Sequence, residues 1–270
     1  MWAGSGGDRR CPAVGHRVGA VAAVMCMPSL LEIKAVVRIS EVAEMSETLR
    51  RVLQSAARLQ SVVPDAVLVG GSAAALHAGH RDSFDHDPVL ADLVDRYEMI
   101  LDAVEATEGW ATSVRASKSP FTIMGSLDGV EAGLRQMRRS RPLETVEIDV
   151  GSGSVVVAPT EPEALRVKAF LVVQRNVVRD YLDVVALADH IGADTAIGVL
   201  SAIDDFYVDR SGDRASVLTS LVMALAEPSP RDTDVIDELP RYKGLDRRWH
   251  RWEDVVAACQ GLALHLAGAV

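Results

Sequence analysis

Apolar residues recur at three- and four-residue spacing along residues 42–59, which is the pattern of one face of an amphipathic helix. The stripe comprises Val42, Met45, Leu49, Val52, Leu53, Ala56 and Leu59. Pro64 and Asp65 end this helix, and the run AVLVGG that follows predicts a short buried strand closed by a glycine pair. The Ala-rich stretch from Ser72 to Leu76 predicts a second helix, so Gly70 and Gly71 lie at a strand-to-helix turn with Ser72 at or near the N-cap.

The residues between 110 and 158 predict a sheet. The predicted strands are Trp110–Arg115, Phe121–Leu127, Val130–Met137, Thr145–Val150 and Ser154–Ala158. Asp128 and Gly129 stand between two of these strands and form a strong hairpin signal.

A long helical segment follows the predicted strands. Thr160 to Glu163 is a predicted capping box that opens a helix, and Gly192 closes it. At 100° per residue, Lys168, Arg175 and Arg179 fall within about 40° of one another, which gives an uninterrupted helix a basic edge. Asn176 could instead break the segment into two helices, and then only residues within each half share a face. From Ile191 onward the chain is predicted to be helical, with a Pro-rich break at residues 226–234.

Length, composition and charge indicate an ordinary soluble protein of one or two domains. The chain has 270 residues, of which 49% are hydrophobic, and a formal net charge of −10. This charge gives no diffuse attraction to phosphate backbones or anionic lipid, so a nucleic-acid partner needs a local basic patch. Cys11, Cys26 and Cys259 lie far apart without CxxC spacing, which argues against a disulfide framework or a zinc knuckle and favours the cytoplasm.

The first thirty residues are set apart from the rest. They open Gly-rich and then carry an apolar run from Val18 to Met27, which is too short for a membrane span. Cys26 and Met27 make a poor signal-peptide cleavage site. We therefore expect residues 1–30 to be a disordered tail or the product of a start codon placed too far upstream.

The candidate chemistry begins at the glycine pair. Backbone N–H groups at a helix N-terminus attract anions, and glycines allow a phosphate to come close. The stretch RDSFDHDPVL that follows Gly79 predicts a short strand, in which Asp85 and Asp87 share a face about 6–7 Å apart. Divalent cations can bridge two carboxylates at that separation. A phosphate-holding turn followed by a carboxylate pair points to nucleotide chemistry.

These residues resemble a known signature. Gly70-Gly71-Ser72 followed by Ser83-x-Asp85-x-Asp87 is similar to the motif of the polymerase-β-like nucleotidyltransferases, and within them to the AbiEii/MenT branch, the toxins of type IV toxin–antitoxin systems. A second block resembles that branch through Lys168, Arg175, Arg179, Asp180 and Asp183. The two blocks occur in the right order, and the resemblance covers roughly residues 65 to 192.

The resemblance implies both a fold and a reaction. The fold is α+β, with a mixed-sheet nucleotidyltransferase domain at residues 31–158, helices on one face of its sheet, and a helical C-terminal domain at residues 159–270. The reaction is the transfer of NMP from an NTP to an acceptor hydroxyl with Mg²⁺ or Mn²⁺. The implied acceptor is the 3′ end of tRNA, and the implied protein partner is a cognate antitoxin.

The resemblance also implies roles for individual residues. Asp85 and Asp87 would hold the metal, while Gly70, Gly71, Ser72 and Lys168 would bind the nucleotide. The implied catalytic residues are Asp85, Asp87, Lys168, Asp180 and Asp183. A third metal carboxylate stays open between Glu131 and Asp149.

Three histidines and one proline surround the first motif. His77 and His80 are expected on a helix at i,i+3, and His86 is expected on the strand face opposite the two aspartates. Packing or hydrogen bonding is the favoured role for all three, ahead of a zinc site. Pro88 lacks an N–H for the strand ladder, which predicts a strand that is short or at an edge there.

Two basic clusters are the places where RNA could bind to this acidic chain. One comprises Arg241, Lys243, Arg247, Arg248, Trp249, Arg251 and Trp252, and the other comprises Arg135, Arg138, Arg139 and Arg141. Domain packing and solvated helix faces explain both clusters equally well. Two other functions stay open: an adenylyltransferase acting on a small molecule or protein side chain, and a catalytically idle nucleotide- or partner-binding module.

Overall fold

The computed structural model describes residues 36–37, 45–139, 141–207 and 216–269. The expectations for residues 1–30 and for Val42 lie outside the described residues. Among the described residues, no helix is long and apolar enough to span a bilayer. The chain changes from strands to helices between Pro159 and Glu161. The domain division predicted at that point stays a prediction.

A mixed five-stranded sheet carries the candidate carboxylates. Its strands are β2 (Val67–Val69), β3 (Asp85–Leu90), β4 (Trp110–Thr112), β5 (Thr122–Leu127) and β6 (Val130–Gln136). The strand order is β2-β3-β6-β5-β4, with β3 and β6 parallel and the other neighbours antiparallel. Asp128 and Gly129 both have positive φ in the β5–β6 turn, so the predicted hairpin is confirmed.

Helices cover one face of this sheet. They are α1 (Glu47–Val62) and α3 (Leu93–Glu105). Leu59, Ile100, Ile123 and Leu134 meet there in one buried cluster. The residues that alternate with the buried ones, apart from Gly133, are at least partly exposed, among them Asp85, Asp87, Glu131 and Arg135. The expected mixed sheet with helices on one face is therefore present, and its other face is open around β3 and β6.

A smaller sheet lies beside α1. It consists of β1 (Val36–Val37), β7 (Thr145–Asp149) and β8 (Val155–Pro159), in the order β1-β7-β8. Leu53, Leu68, Ile148 and Val156 join α1, β2, β7 and β8 in a second buried cluster. The Gln60 side chain completes this packing because its amide accepts from the backbone N–H of Val157 and donates to the backbone carbonyl of the same residue, both at 2.8 Å. A side chain of α1 thus pairs with the backbone of β8 as a strand would.

Helices make up the C-terminal part of the chain, as expected. They are α4 (Glu161–Arg175), α5 (Val178–Ile191), α6 (Ala193–Ser201), α7 (Val217–Ala226) and α8 (Trp252–Ala269), with a 3₁₀ segment at Thr233–Arg241. Their shared core includes Leu182, Leu187, Leu200, Leu221 and Leu266. Helix α2 (Gly70–Ala78) contributes Ala74 to this core and packs on α4 and α5. The sheet and the helices therefore meet along α2.

Asn176 breaks the long helical segment, which confirms the second of the two sequence-based alternatives. Its φ of 51° is left-handed, a conformation that Asn tolerates better than most residues. The Asn176 amide donates to the carbonyl of Ser229 at 2.8 Å, and its oxygen accepts from the Tyr181 hydroxyl at 2.7 Å. At the start of α4, the Thr160 side chain accepts from the N–H of Glu163, so the predicted N-cap is confirmed.

The prediction that β3 is short or at an edge near Pro88 is wrong. β3 has six residues and lies between β2 and β6. It pairs with β6 at Asp85–His86 and again at Val89–Leu90, on either side of Pro88. The missing N–H is therefore accommodated by a local gap in the ladder, since the flanking residues continue the pairing.

The left-handed break can be tested with two substitutions of Asn176. We expect Asn176→Ala to reduce the free energy of unfolding by about 1 kcal/mol more than Asn176→Gly, because only alanine carries a Cβ that disfavours positive φ. Both variants lose the same two side-chain hydrogen bonds, so each serves as the control of the other. Urea unfolding measures the difference, and equal stability of the two variants would contradict it.

Candidate active site

The glycine pair begins α2 directly, without a side-chain cap. Gly70 has a φ of 81°, and the N-cap is Val69. A Cβ on Gly70 would lie 3.6 Å from Cβ of Asp87, and one on Gly71 would lie only 2.5 Å from Nη2 of Arg81. Gly71 must therefore lack a side chain so that the Arg81 guanidinium can lie against it.

Ser72 lies near the N-cap, as expected, but its side chain does not cap the helix. Ser72 is buried in the first turn of α2. Its hydroxyl donates to the backbone carbonyl of Asp85 and lies 3.1 Å from the Ser83 hydroxyl. Since the helix begins at Gly70, Ser72 holds the start of the carboxylate strand against α2.

Asp85 and Asp87 share the open face of β3, as the alternation of strand residues predicted. Asp85 is exposed, and its Oδ1 accepts from the Ser83 hydroxyl at 3.2 Å. Asp87 is 31% exposed, and its Oδ1 accepts from Nε of Arg135 at 3.0 Å. Among the described residues, no group of three or more His, Cys, Asp or Glu side chains is arranged to hold a metal ion.

This pair of carboxylates fits Mg²⁺ nevertheless. Mg²⁺ is usually held by one or two carboxylates, with water and substrate phosphates filling the remaining positions. Asp85 and Asp87 are accessible oxygen ligands, and Gly70 leaves the space beside Asp87 free of a side chain. The residues present are therefore suited to an ion that arrives with a triphosphate.

The two candidates for a third carboxylate lie in different sheets. Glu131 on β6 pairs with Asp85 in the strand register and is exposed. Asp149 is on β7, and its Oδ1 accepts from the N–H of Gly151 at 2.9 Å. The structure brings Glu131 next to Asp85, whereas Asp149 stabilises the β7–β8 turn.

The three histidines each have a hydrogen-bond partner. His86 lies on the opposite side of β3 from the carboxylates, with Nε2 3.1 Å from the Ser55 hydroxyl, and burial lowers its pKa to about 4. His77 bonds to the carbonyl of Pro159, and burial lowers its pKa. His80 does not lie on α2 as expected, because the helix ends at Ala78 and Gly79 is left-handed.

One buried carboxylate joins the two sequence blocks. Asp183 is fully buried and accepts four hydrogen bonds or ion pairs: from Nε2 of His80 at 2.8 Å, from Nε and Nη2 of Arg81 at 2.8 and 3.0 Å, and from Nζ of Lys168 at 2.7 Å. Burial alone would raise the pKa of Asp183, but the positive charges of Arg81 and Lys168 outweigh it and hold that pKa well below its usual value. Asp183 is therefore a permanent anion at neutral pH.

Asp180 forms a second ion-pair centre one turn earlier in α5. Its carboxylate accepts from Nε and Nη2 of Arg175 at 3.0 and 2.8 Å and lies 3.4 Å from Nζ of Lys168. Lys168 thus contacts both aspartates, and only 4% of its side chain is exposed. Two aspartates on α5 orient the lysine of α4.

The basic edge expected of an uninterrupted helix is not present. Lys168 and Arg175 on α4 both turn toward Asp180, while Arg179 on α5 donates to the Tyr242 hydroxyl at 2.9 Å. The break at Asn176 causes this, since it reverses the chain and lays α5 against α4. The sequence analysis did not identify Arg81 as a site residue, although it follows Gly71 by ten residues. Its guanidinium lies against Gly71 of the first block and forms an ion pair with Asp183 of the second.

Much of the distal basic cluster serves packing. Trp249 is buried, and Trp252 meets Tyr181 edge to face with ring centroids 5.9 Å apart. Arg248 forms ion pairs with Asp189 and Asp246. The tryptophans are therefore occupied within the fold, whereas the arginines and Lys243 of this cluster keep exposed side chains.

The second basic cluster, at residues 135–141, also contains both arginines that pack within the fold and arginines that are exposed. The side chain of Arg139 is buried and forms an ion pair with Glu163 at 2.7 Å, and the guanidinium of Arg141 lies 4.0 Å from the Phe206 ring centroid. Arg135 and Arg138 are exposed, and Arg135 contacts Asp87. Within this cluster, Arg135 is the residue that the structure places at the candidate site.

Comparison with known proteins gives two different results. No family model matches the chain. The chain is 30% identical over 239 residues to proteins described as heme uptake protein MmpL11 of Mycobacterium tuberculosis and probable transport protein MmpL11 of Mycobacterium bovis. The match covers 81% of this chain but only 23% of those proteins, so the chain spans about a quarter of the length of the curated relatives it matches.

Among solved structures, the chain is similar to MenT4, described as a nucleotidyltransferase toxin of Mycobacterium tuberculosis. The TM-score is 0.53 at 17% sequence identity, and the match covers 84% of this chain and 87% of MenT4. At 17% sequence identity, a structural similarity is evidence for a shared fold alone. The chain therefore shares the α+β fold of MenT4, and the fold class that the sequence resemblance implied is confirmed.

The buried ion pairs can be tested with one pair of matched substitutions on α5. We expect Asp183→Asn to lower the free energy of unfolding by about 3–5 kcal/mol at pH 7, because it leaves buried cations without their counter-charge. Asp189→Asn, at the exposed ion pair with Arg248, should cost no more than about 1 kcal/mol. Chemical denaturation of both variants measures the contrast.

The pH dependence provides an independent check of Asp183. Since its folded-state pKa lies below its unfolded-state pKa of about 4, the stabilisation is present above that pH and declines as the pH falls further. The difference between the wild type and Asp183→Asn should therefore shrink below about pH 4. A difference that stays constant down to pH 2 would contradict the assignment.

Proposed function

We propose that the protein is a nucleotidyltransferase that transfers NMP from an NTP to an acceptor hydroxyl. The observation that carries the proposal is the pair of accessible carboxylates, Asp85 and Asp87, on the open face of β3 beside the glycine turn. The fold shared with MenT4, itself described as a nucleotidyltransferase, supports the same reaction class.

Each proposed site residue has a distinct task. Asp85 and Asp87 would hold Mg²⁺ or Mn²⁺, which when bound neutralises phosphate charge and lowers the pKa of the acceptor hydroxyl. The turn at Gly70 would admit a phosphate beside Asp87, whereas the Arg81 guanidinium occupies the space against Gly71 and offers a phosphate a positive charge there. Ser72 contributes by holding Asp85, through its bond to the Asp85 carbonyl.

Lys168 is proposed to contact the triphosphate from the α4 side. An ammonium group has three N–H donors, and Asp180 and Asp183 engage two of them. The remaining donor can bind a phosphate oxygen. Asp180 and Asp183 act as positioning residues, because they set the direction of Lys168 without being exposed themselves.

The NTP and the acceptor hydroxyl are the only reactants that the proposed transfer requires. The acceptor oxygen forms a bond to the α-phosphorus, the bond to the leaving phosphate oxygen breaks, and pyrophosphate and the proton of the hydroxyl are released. Catalysis of such a transfer depends mainly on positioning and on charge stabilisation, which the carboxylates, the glycine turn and Lys168 would supply.

Substitution of the carboxylates tests this reaction. We expect Asp85→Asn or Asp87→Asn to abolish transfer of label from NTPs, because an amide is a poor ligand for Mg²⁺, while the far-ultraviolet circular dichroism stays that of the wild type. Asp102→Asn, at an exposed position on α3, is the control and should keep full activity. An active Asp85→Asn enzyme would exclude the metal assignment.

We further propose that the acceptor is RNA, namely the 3′ end of tRNA, and that the protein acts in the cytoplasm as the toxin of a pair with a cognate antitoxin. The description of MenT4 as a toxin supports this more specific reading. The exposed arginines Arg241, Arg247 and Arg251 supply local positive charge on an otherwise acidic protein.

A triple substitution tests the RNA-binding surface. Replacing Arg247, Arg248 and Arg251 by Gln should weaken tRNA binding, flatten its dependence on salt by up to about three units in the log–log slope, and relieve growth arrest on expression. A control with Arg51, Arg58 and Arg115 replaced by Gln makes the same change in net charge on another surface. Unchanged slope and toxicity in the first variant would mean that the distal cluster only packs.

The relatives favour a second candidate function. The chain aligns with 23% of the length of proteins described as transport or heme uptake proteins. It could therefore act as a catalytically idle nucleotide- or partner-binding module. Incubation with Mg²⁺, each labelled NTP and total tRNA or small acceptors separates the candidates. Label on RNA supports the toxin, label on a small molecule or protein supports the other adenylyltransferases, and label nowhere supports the idle module.

A further inference from the structure

Arg135 bonds directly to one of the two proposed metal ligands. It lies on β6, where its Cα pairs with Val89, two residues beyond Asp87 on the neighbouring strand. The side chain turns back along the open face of the sheet, and Nε donates to Oδ1 of Asp87 at 3.0 Å. The Arg135 guanidinium therefore takes up part of the hydrogen-bonding capacity of Asp87.

A glycine makes this contact possible. Gly133 lies between Glu131 and Arg135 on the same strand face, and a Cβ there would lie 2.8 Å from Oδ1 of Asp87 and 2.7 Å from Sδ of Met124. A side chain at residue 133 would push Asp87 away. Strand β6 thus offers Gly133, which has no side chain to bind a metal, beside Asp87. The next residue on the same face of β6, Arg135, places a positive charge there.

The Arg135–Asp87 pair is easy to break. Both side chains are partly exposed, 44% for Arg135 and 31% for Asp87. Ion pairs with this exposure change an equilibrium constant by at most about fivefold. A divalent cation can therefore displace the guanidinium at small cost, and the freed guanidinium remains beside the ion.

We propose that Arg135 is an exchangeable counter-cation of the site. It holds Asp87 in the absence of metal, gives way when a divalent cation enters, and then binds a phosphate oxygen of the triphosphate. Its planar, permanently charged guanidinium suits both partners, since it bonds carboxylates and phosphates with the same geometry. This inference rests on the proposed metal and triphosphate chemistry of Asp85 and Asp87.

The exchange predicts two binding changes of opposite sign. Arg135→Ala frees Asp87, so Mn²⁺ alone should bind up to about fivefold more tightly than to the wild type. The same variant lacks the phosphate contact, so tripolyphosphate should bind the Mn²⁺-loaded protein about tenfold more weakly. If the role of Arg135 were merely structural, its substitution would weaken both the Mn²⁺ affinity and the tripolyphosphate affinity, or neither of them.

Two further variants complete the experiment, which uses calorimetry or Mn²⁺ paramagnetic resonance on the full chain. Arg135→Lys keeps the charge and should restore wild-type Mn²⁺ affinity with partial recovery of tripolyphosphate binding. Arg58→Ala removes an exposed arginine from its ion pair with Asp128 and should leave both affinities unchanged.

Three outcomes overturn the proposal: an Mn²⁺ affinity in Arg135→Ala that is equal to or lower than that of the wild type, unchanged tripolyphosphate affinity, or no Mn²⁺ binding by the wild type. Because only binding is measured, failure of nucleotidyl transfer is a separate result. A protein that shows the two opposite changes but transfers no label retains the exchange role of Arg135 and loses the proposed enzymatic function.

Discussion

The buried carboxylate of Asp183 is the interaction on which the arrangement of the site depends. A buried charge without partners costs several kcal/mol, so α5 can place Asp183 in the interior only if cations and a hydrogen-bond donor meet it there. Lys168 comes from α4, while His80 and Arg81 come from the loop before β3. The helical part and the sheet are therefore joined through one anion, and the same anion helps to fix the direction of Lys168.

The glycine turn has a matching constraint. Arg81 reaches Asp183 by lying against Gly71, where a Cβ would be 2.5 Å from its guanidinium. Ser72 then fastens the main chain of Asp85, and Ser83 bonds both to Ser72 and to the Asp85 side chain. The glycines thus serve close packing, because the loop and the helix start approach within contact distance. The carboxylates stay on the open face as a result.

The open face of the sheet separates the residues available for chemistry from those that keep the fold. Asp85, Asp87 and Arg135 remain accessible, whereas His86 and Leu134 of the same two strands are buried against α1 and α3. Exposed charges rearrange at low energetic cost, while the buried pairs of Asp180 and Asp183 do not. The protein therefore combines a fixed lysine with an adaptable pair of carboxylates.

The sequence by itself determined the strands β2 to β8, the β5–β6 hairpin and the shared face of Asp85 and Asp87, because these follow from short-range periodicity and turn chemistry. It left Asn176 open between one helix and two, since one hydrogen bond of the left-handed Asn176 goes to the Ser229 carbonyl, 53 residues further along the chain. It misplaced the strand position of Pro88, because the strand order is set by packing between segments. Only the tertiary structure decided that Glu131, and not Asp149, lies beside Asp85, and that Arg81 joins Lys168 at Asp183. Such choices depend on which strands become neighbours and which charges are buried together, and no local pattern in the chain encodes either.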